Sequence, residues 1–174
     1  HNSFDNDVTL ANEPGICGAL HEFDNEVTDN CPGFSFVQIA GLPSGSTYPV
    51  GATTNTFLAT DASGNTTECS FVVTVVDVEA PVVNCPAGVT LNSNNGVCGA
   101  VVSYTVSTSD NCPGQTLSQT AGLTSGSLFP VGTTTNDFVV VDAAGNQSAC
   151  SYVVTVVDAQ SPTITCPANI TVNN

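Results

Sequence analysis

The stretch CSFVVTVVD, residues 69–77, returns almost unchanged as CSYVVTVVD, residues 150–158. Its β-branched residues alternate with a period of two, the pattern of a strand with one face buried. The 81-residue offset holds along the chain. CGA at 17 recurs at 98, DNCPG at 29 recurs at 110, and YPVGATTNTF at 48 becomes FPVGTTTNDF at 129. DASGN at 61 recurs as DAAGN at 142, where Gly and Asn suit a hairpin turn. Two copies of one module are therefore present. Strand-like runs such as VVSYTV and NDFVVVD are punctuated by Gly, Pro, Asn and Asp, and no segment has helical periodicity. About seven short strands per copy predict an all-β chain of two tandem immunoglobulin-like β-sandwich modules. The expected boundaries are 1–79, 80–158 and a C-terminal strand extension, 159–174. SPTITCPANITVNN at 161–174 matches APVVNCPAGVTLNS at 80–93, the start of the second module.

Charge narrows the function. The 174 residues contain fifteen acids and neither lysine nor arginine, a formal net charge of −15. Such a surface repels phosphate backbones and anionic membranes, so neither nucleic acid nor membrane insertion is expected. No lysine is available for isopeptide cross-links, and trypsin-like proteases have no site. A chain that opens on His1 and has no methionine is expected to be a processed mature form or an excised fragment. The eight cysteines lack metal-type CxxC spacing, and His1 and His21 stand apart from any ligand-spaced pair. That usage predicts disulfides, an oxidising compartment, and an extracellular or cell-surface location.

The ordered motifs CPA(N/G)(I/V)T(V/L), CGA, DNCPG, (Y/F)PVG(A/T)TT, DA(S/A)GN and CS(F/Y)VVTVVD resemble the HYR (hyalin repeat) family over nearly the whole chain. The resemblance implies an immunoglobulin-like sandwich, tandem arrangement and adhesion at the cell exterior, with no catalytic role. The version carrying the CGA and DNC cysteines is similar to repeats of secreted proteins of marine Bacteroidetes.

The resemblance also implies disulfides. Members with two cysteines keep those of CP and CS(F/Y), so Cys85 is expected to bond Cys150. The additional pair is expected to bond locally, as Cys17–Cys31 and Cys98–Cys112. Phe4 stands where the first module's CP cysteine belongs, so Cys69 lacks a mate within its module and Cys166 lacks one in the tail. One reading joins the two orphans between molecules. Pro162, Ile164, Cys166, Ile170 and Val172 of one subunit supply a donor strand to the first module of the next, sealed by Cys69–Cys166. Val8, Thr9 and Leu10 still form the later half of that strand locally. Identical subunits would then assemble head to tail into an extracellular filament or surface fibre. Two other readings compete: a window cut from a longer array of spacer or glycan-binding adhesin repeats, or a closed chain paired 17–31, 69–85, 98–112 and 150–166.

For so acidic a chain the candidate cofactor is calcium, which takes six to eight oxygen ligands. Asp77, Glu79, Asp110 and Asp142 are the candidate ligands, and Asp29, Asp61 and a neighbour's Asp158 are their counterparts. Turn capping by these side chains is the competing explanation. Asn65, Asn146 and Asn169 match the glycosylation sequon, although the first two occupy turns. Tyr48 and Phe129 are expected in the core at a sheet corner. His21–Glu22 has no nucleophile beside it and no counterpart at Val102 and Ser103, so catalysis is not expected.

Overall fold

Alternation becomes sandwich wherever one face of a strand is covered. The computed structural model describes residues 7–167 and 169; the expectations placed on His1, Phe4, Ile170 and Val172 lie outside them. The first repeat forms β1 (Val8–Ala11), β2 (Gly18–His21), β3 (Ser35–Ala40), β4 (Ser46–Pro49), β5 (Gly51–Thr60) and β6 (Thr66–Val76). The second forms β7 (Val82–Asn84), β8 (Val89–Asn92), β9 (Gly99–Val102), β10 (Ser107–Ser109), β11 (Thr116–Ala121), β12 (Ser127–Pro130), β13 (Gly132–Val141) and β14 (Gln147–Val157). No helix occurs among the described residues.

In the first repeat the order β1-β6-β5-β3 faces a two-stranded β2-β4 sheet. The corresponding sheets of the second are β11-β13-β14-β8 and β12-β9, with β10 pairing β7. The fold is thus all-β, a sandwich built twice. By proximity the backbone forms two units. One holds the residues up to 83 together with 108–118 and 139–149; the other holds 84–107, 119–138 and those from 150 onward.

The stretch that revealed the repeat supplies the core. Phe71, Val73 and Val75 of β6 point inward with Phe57, Ala19, Phe23 and Tyr48. Tyr152, Val154 and Val156 do the same with Phe138, Ala100 and Phe129. Each of the valines and phenylalanines among them contributes roughly 1.5–3 kcal/mol by leaving water. Tyr48 and Phe129 are both 0 % exposed, as expected of core residues. The Tyr48 hydroxyl donates to the Leu42 carbonyl at 2.8 Å, with Asn55 Oδ1 also in reach at 3.0 Å. Phe129 has no hydroxyl, and there Tyr104, the counterpart of Phe23, donates to the Leu123 carbonyl at 2.6 Å. The repeats have exchanged which aromatic carries the oxygen while preserving the bond.

The β5–β6 hairpin closes on Asp61. Its Oδ1 accepts from Ser63 N and Asn65 N, both at 2.8 Å, and Gly64 supplies φ +86. Val8–Ala11 pairs in parallel with Val73–Val76, so the later half of the first strand forms locally. Its counterpart pairs Val89–Asn92 with Val154–Val157. Ser161–Pro167 forms no strand and is exposed, Ile164 at 88 %. A strand is defined by pairing, and this segment pairs with no strand among the described residues.

Candidate functional site

Three carboxylates meet within the first unit. The inward stripe of β6 ends on Asp77, which is 4 % exposed. Asp110 begins the DNCPG loop, Asp142 begins the DAAGN turn, and one carboxylate oxygen from each lies within 4.8 Å of the others. Asn146 Nδ2 donates to Asp142 Oδ2 at 2.9 Å and to the Asp77 carbonyl at 3.1 Å. Asn111 N donates to Asp110 Oδ1 at 3.0 Å, but Asp110 Oδ2 is buried without a donor. Burial, and then the charges of Asp77, Asp142 and Glu79, pushes the Asp110 carboxyl above its ordinary 3.8. For Asp142 burial acts upward, but the bonds from Asn146 prevail and hold its carboxyl below the ordinary range.

With no lysine or arginine in the chain, these charges have no basic counterpart, and their hard oxygens suit a cation such as calcium. Glu79 falls outside the trio. Its Oε2 accepts from Gly15 N at 2.7 Å, and at the equivalent place Gln160 Oε1 accepts from Gly96 N at 3.1 Å. Either side chain reaches that amide, so this contact holds a loop in both repeats. Of the counterparts, Asp29 is exposed and Asp61 is occupied by its turn in the first repeat, and Asp158, at the end of the second, is exposed.

A second feature lies beside Cys69. A cavity of about 240 Å³ is bounded by Val27, Phe34, Phe36, Phe57 and Ala59, with Cys69 at its edge. Burial pushes the Cys69 thiol upward. In the second repeat the residue equivalent to Cys69 is Cys150, and it is bonded to Cys85. Both sulfur-bearing residues pack there on the cluster containing Phe138 and Tyr152.

Cys85–Cys150 is the pairing the resemblance implies. The other expectation is corrected: Cys17 bonds Cys112, not Cys31, and Cys98 bonds nothing, not Cys112. Both repeats separate CGA from DNC by the same fourteen residues, so a pair within one repeat is natural on spacing alone. A periodic chain equally allows a bond from one repeat's CGA to the next repeat's DNC, and the fold uses that one, with Cα atoms 4.9 Å apart. Cys31, Cys69, Cys98 and Cys166 are free, so the closed-chain pairing 69–85 and 150–166 is also set aside.

The remaining candidates have structural explanations. His21 packs against Phe23 and Tyr48, at centroid distances of 6.1 and 6.0 Å, while Glu22 is exposed. The amides of Asn65 and Asn146 are bonded to the aspartates that open their turns. Asn169 is exposed.

Comparison with known proteins follows the two repeats. The HYR domain matches residues 7–75 and 76–156. Hyalin of Strongylocentrotus purpuratus is 34 % identical over 172 residues, which is 95 % of this chain and 14 % of that protein. Hyalin of Lytechinus variegatus is 32 % identical over 167 residues, covering 92 % and 31 %. A Staphylococcus aureus serine-rich adhesin for platelets is 28 % identical over 170 residues, covering 83 % and 7 %. The chain thus spans less than a third of each of these relatives, and they lend no support to a Bacteroidetes source. Among solved structures, human protocadherin-24 EC1-2 is similar with a TM-score of 0.37 at 15 % identity, covering 88 % of this chain and 95 % of that one. With both repeats matched, the chain belongs to the HYR domain family.

Proposed function

We propose that the chain is a structural, non-enzymatic subunit of an extracellular filament or surface fibre. Its first repeat is completed by the C-terminal strand of the preceding copy, and its own C-terminal strand completes the first repeat of the next. The supporting observation is the difference between equivalent sulfurs: Cys150 is bonded to Cys85 on the core, whereas Cys69 is free beside a cavity. Cys166 stands in the repeat where Cys85 does. Because β1 already occupies the parallel lane along β6, the incoming segment needs only Thr163–Cys166, the equivalents of β7 and Cys85. Ile170 and Val172 would duplicate Val8 and Leu10 rather than fill an empty place. The Asp77, Asp110 and Asp142 trio would hold calcium and stiffen the unit around it.

Extracellular location accords with the disulfides and with the hyalin and adhesin relatives. Similarity to an adhesin also favours a second reading, in which these are spacer or glycan-contacting repeats of a larger surface protein. Non-reducing electrophoresis of the oxidised chain separates the two. A ladder of subunit multiples that collapses under reductant is expected of the fibre. A monomer in which Cys69 still reacts with an alkylating agent overturns it and leaves the spacer.

A further inference from the structure

Two disulfides in the chain define two rules. Cys85–Cys150 joins the CP and CS(F/Y) cysteines of one repeat. Cys17–Cys112 joins a CGA cysteine to the DNC cysteine of the repeat after it. Advancing the first bond by one repeat places Cys166 against the Cys69 position of a following repeat. Advancing the second places Cys98 against the Cys31 position of that same repeat. These are the four cysteines left free. We propose that consecutive copies of this chain are joined by two disulfides, Cys166 to Cys69 and Cys98 to Cys31 of the next copy. This rests on the head-to-tail reading above and adds a second, independently testable bond.

Local geometry supports the second bond. In the loop bearing Cys17, Glu13 N donates to Gly18 O at 2.8 Å and Ile16 N to Glu13 O at 2.9 Å. The loop bearing Cys98 repeats this, with Asn94 N to Gly99 O at 2.6 Å and Val97 N to Asn94 O at 3.0 Å. A side chain fixes each loop identically: Leu20 N donates to Glu13 Oε1 at 3.0 Å, and Val101 N to Asn94 Oδ1 at 2.9 Å. On the partner side, Asn30 Nδ2 lies 3.6 Å from Cys31 Sγ, as Asn111 Nδ2 does from Cys112 Sγ. Free Cys98 and free Cys31 are therefore presented as the bonded Cys17 and Cys112 are. Both are exposed, so no core must open for them to meet.

Electrostatics argues for covalent joining. Each copy carries a formal −15 without a cationic side chain, so approach is repulsive and no salt bridge between these side chains can hold the junction. Each bond converts two thiols to one disulfide, releasing two protons and two electrons. A small-molecule disulfide such as oxidised glutathione accepts them and becomes two thiols.

The test mixes unlabelled and ¹⁵N-labelled full-length chain, reduces it, and reoxidises it in a glutathione redox buffer. Peptic digestion and mass spectrometry then follow, because trypsin finds no site. Mixed-isotope Cys31–Cys98 and Cys69–Cys166 peptides are the expected result. Cys98→Ser should still give a ladder through Cys69–Cys166, with one Cys31 thiol per subunit becoming alkylatable. A ladder in which Cys31 and Cys98 stay alkylatable, or pair only within single-isotope chains, overturns this inference and leaves strand donation standing. A ladder carried by Cys31–Cys98 with Cys69 and Cys166 alkylatable supports it while removing strand donation. Absence of any ladder overturns both.

Discussion

Cys17 and Cys112 are bonded across 95 residues, while Cys31 and Cys98, each fourteen positions from one of them, remain free and exposed. The bond staples the β1–β2 loop to the DNCPG loop inside one unit, beside the carboxylate trio. Closing so long a loop restricts the unfolded chain by on the order of 4–5 kcal/mol on entropy grounds. Replacing both residues, Cys17→Ser with Cys112→Ser, should lower the unfolding free energy read from urea denaturation by an amount of that order, and the midpoint with it. An unchanged midpoint would show the staple to be slack.

Asp110 is the carboxylate least accommodated by its surroundings, since its Oδ2 has no donor and two acids stand close by. Calcium should raise the melting temperature of the chain, and a chelator should reverse the gain. Asp110→Asn should raise the melting temperature in chelator, by removing repulsion, and abolish most of the calcium response. A wild-type protein indifferent to both additions would mean that the trio only caps turns.

Asp61 gives a pH dependence with a definite sign. The side-chain bond from Asn65, with the backbone bonds behind it, holds its carboxyl below the ordinary 3.8. A depressed acid contributes stability that is present above the unfolded value and lost as pH falls through the folded one. Asp61→Asn should therefore lower the neutral plateau of a melting-temperature profile and flatten that part of its acid limb, so that the two proteins converge at low pH. Equal slopes for both proteins would exclude the turn as a contributor.

Tyr48 and Tyr104 perform one task from two positions. Tyr48→Phe removes the hydroxyl that reaches the Leu42 carbonyl and should cost about 1–2 kcal/mol. Adding Phe23→Tyr copies the second repeat, where Tyr104 meets the Leu123 carbonyl, and should recover much of the loss. A double-mutant cycle by denaturant unfolding measures the coupling; simple additivity would contradict the equivalence.

Much of this was legible in the residues. The alternation of FVVTVVD gave strands whose inward residues are the observed core, and the DASGN turn fell where Gly64 takes positive φ. The acids of three separated motifs were also seen to converge, because loops of one repeat type gather at one end. Sequence shows the charge of Glu79 but not its reach: one of its carboxylate oxygens accepts from the Gly15 amide. The CGA–DNC pairing was missed for a related reason. Periodicity states which positions are equivalent, but whether partners are 14 or 95 residues apart depends on how successive repeats meet. The exchange of hydroxyls between Tyr48 and Tyr104 left a trace, a Tyr/Phe swap at two positions, that becomes meaningful only once both rings share a core.

The most direct measurement of strand completion uses a synthetic peptide of residues 161–174 and the Cys166→Ser chain, so that the tail's own sulfur does not compete. Under glutathione oxidation the peptide should form a mixed disulfide with Cys69 and raise the melting temperature of the chain. Attachment chiefly at Cys31 or Cys98, or a Cys69 that remains fully alkylatable with no change in melting, would contradict it.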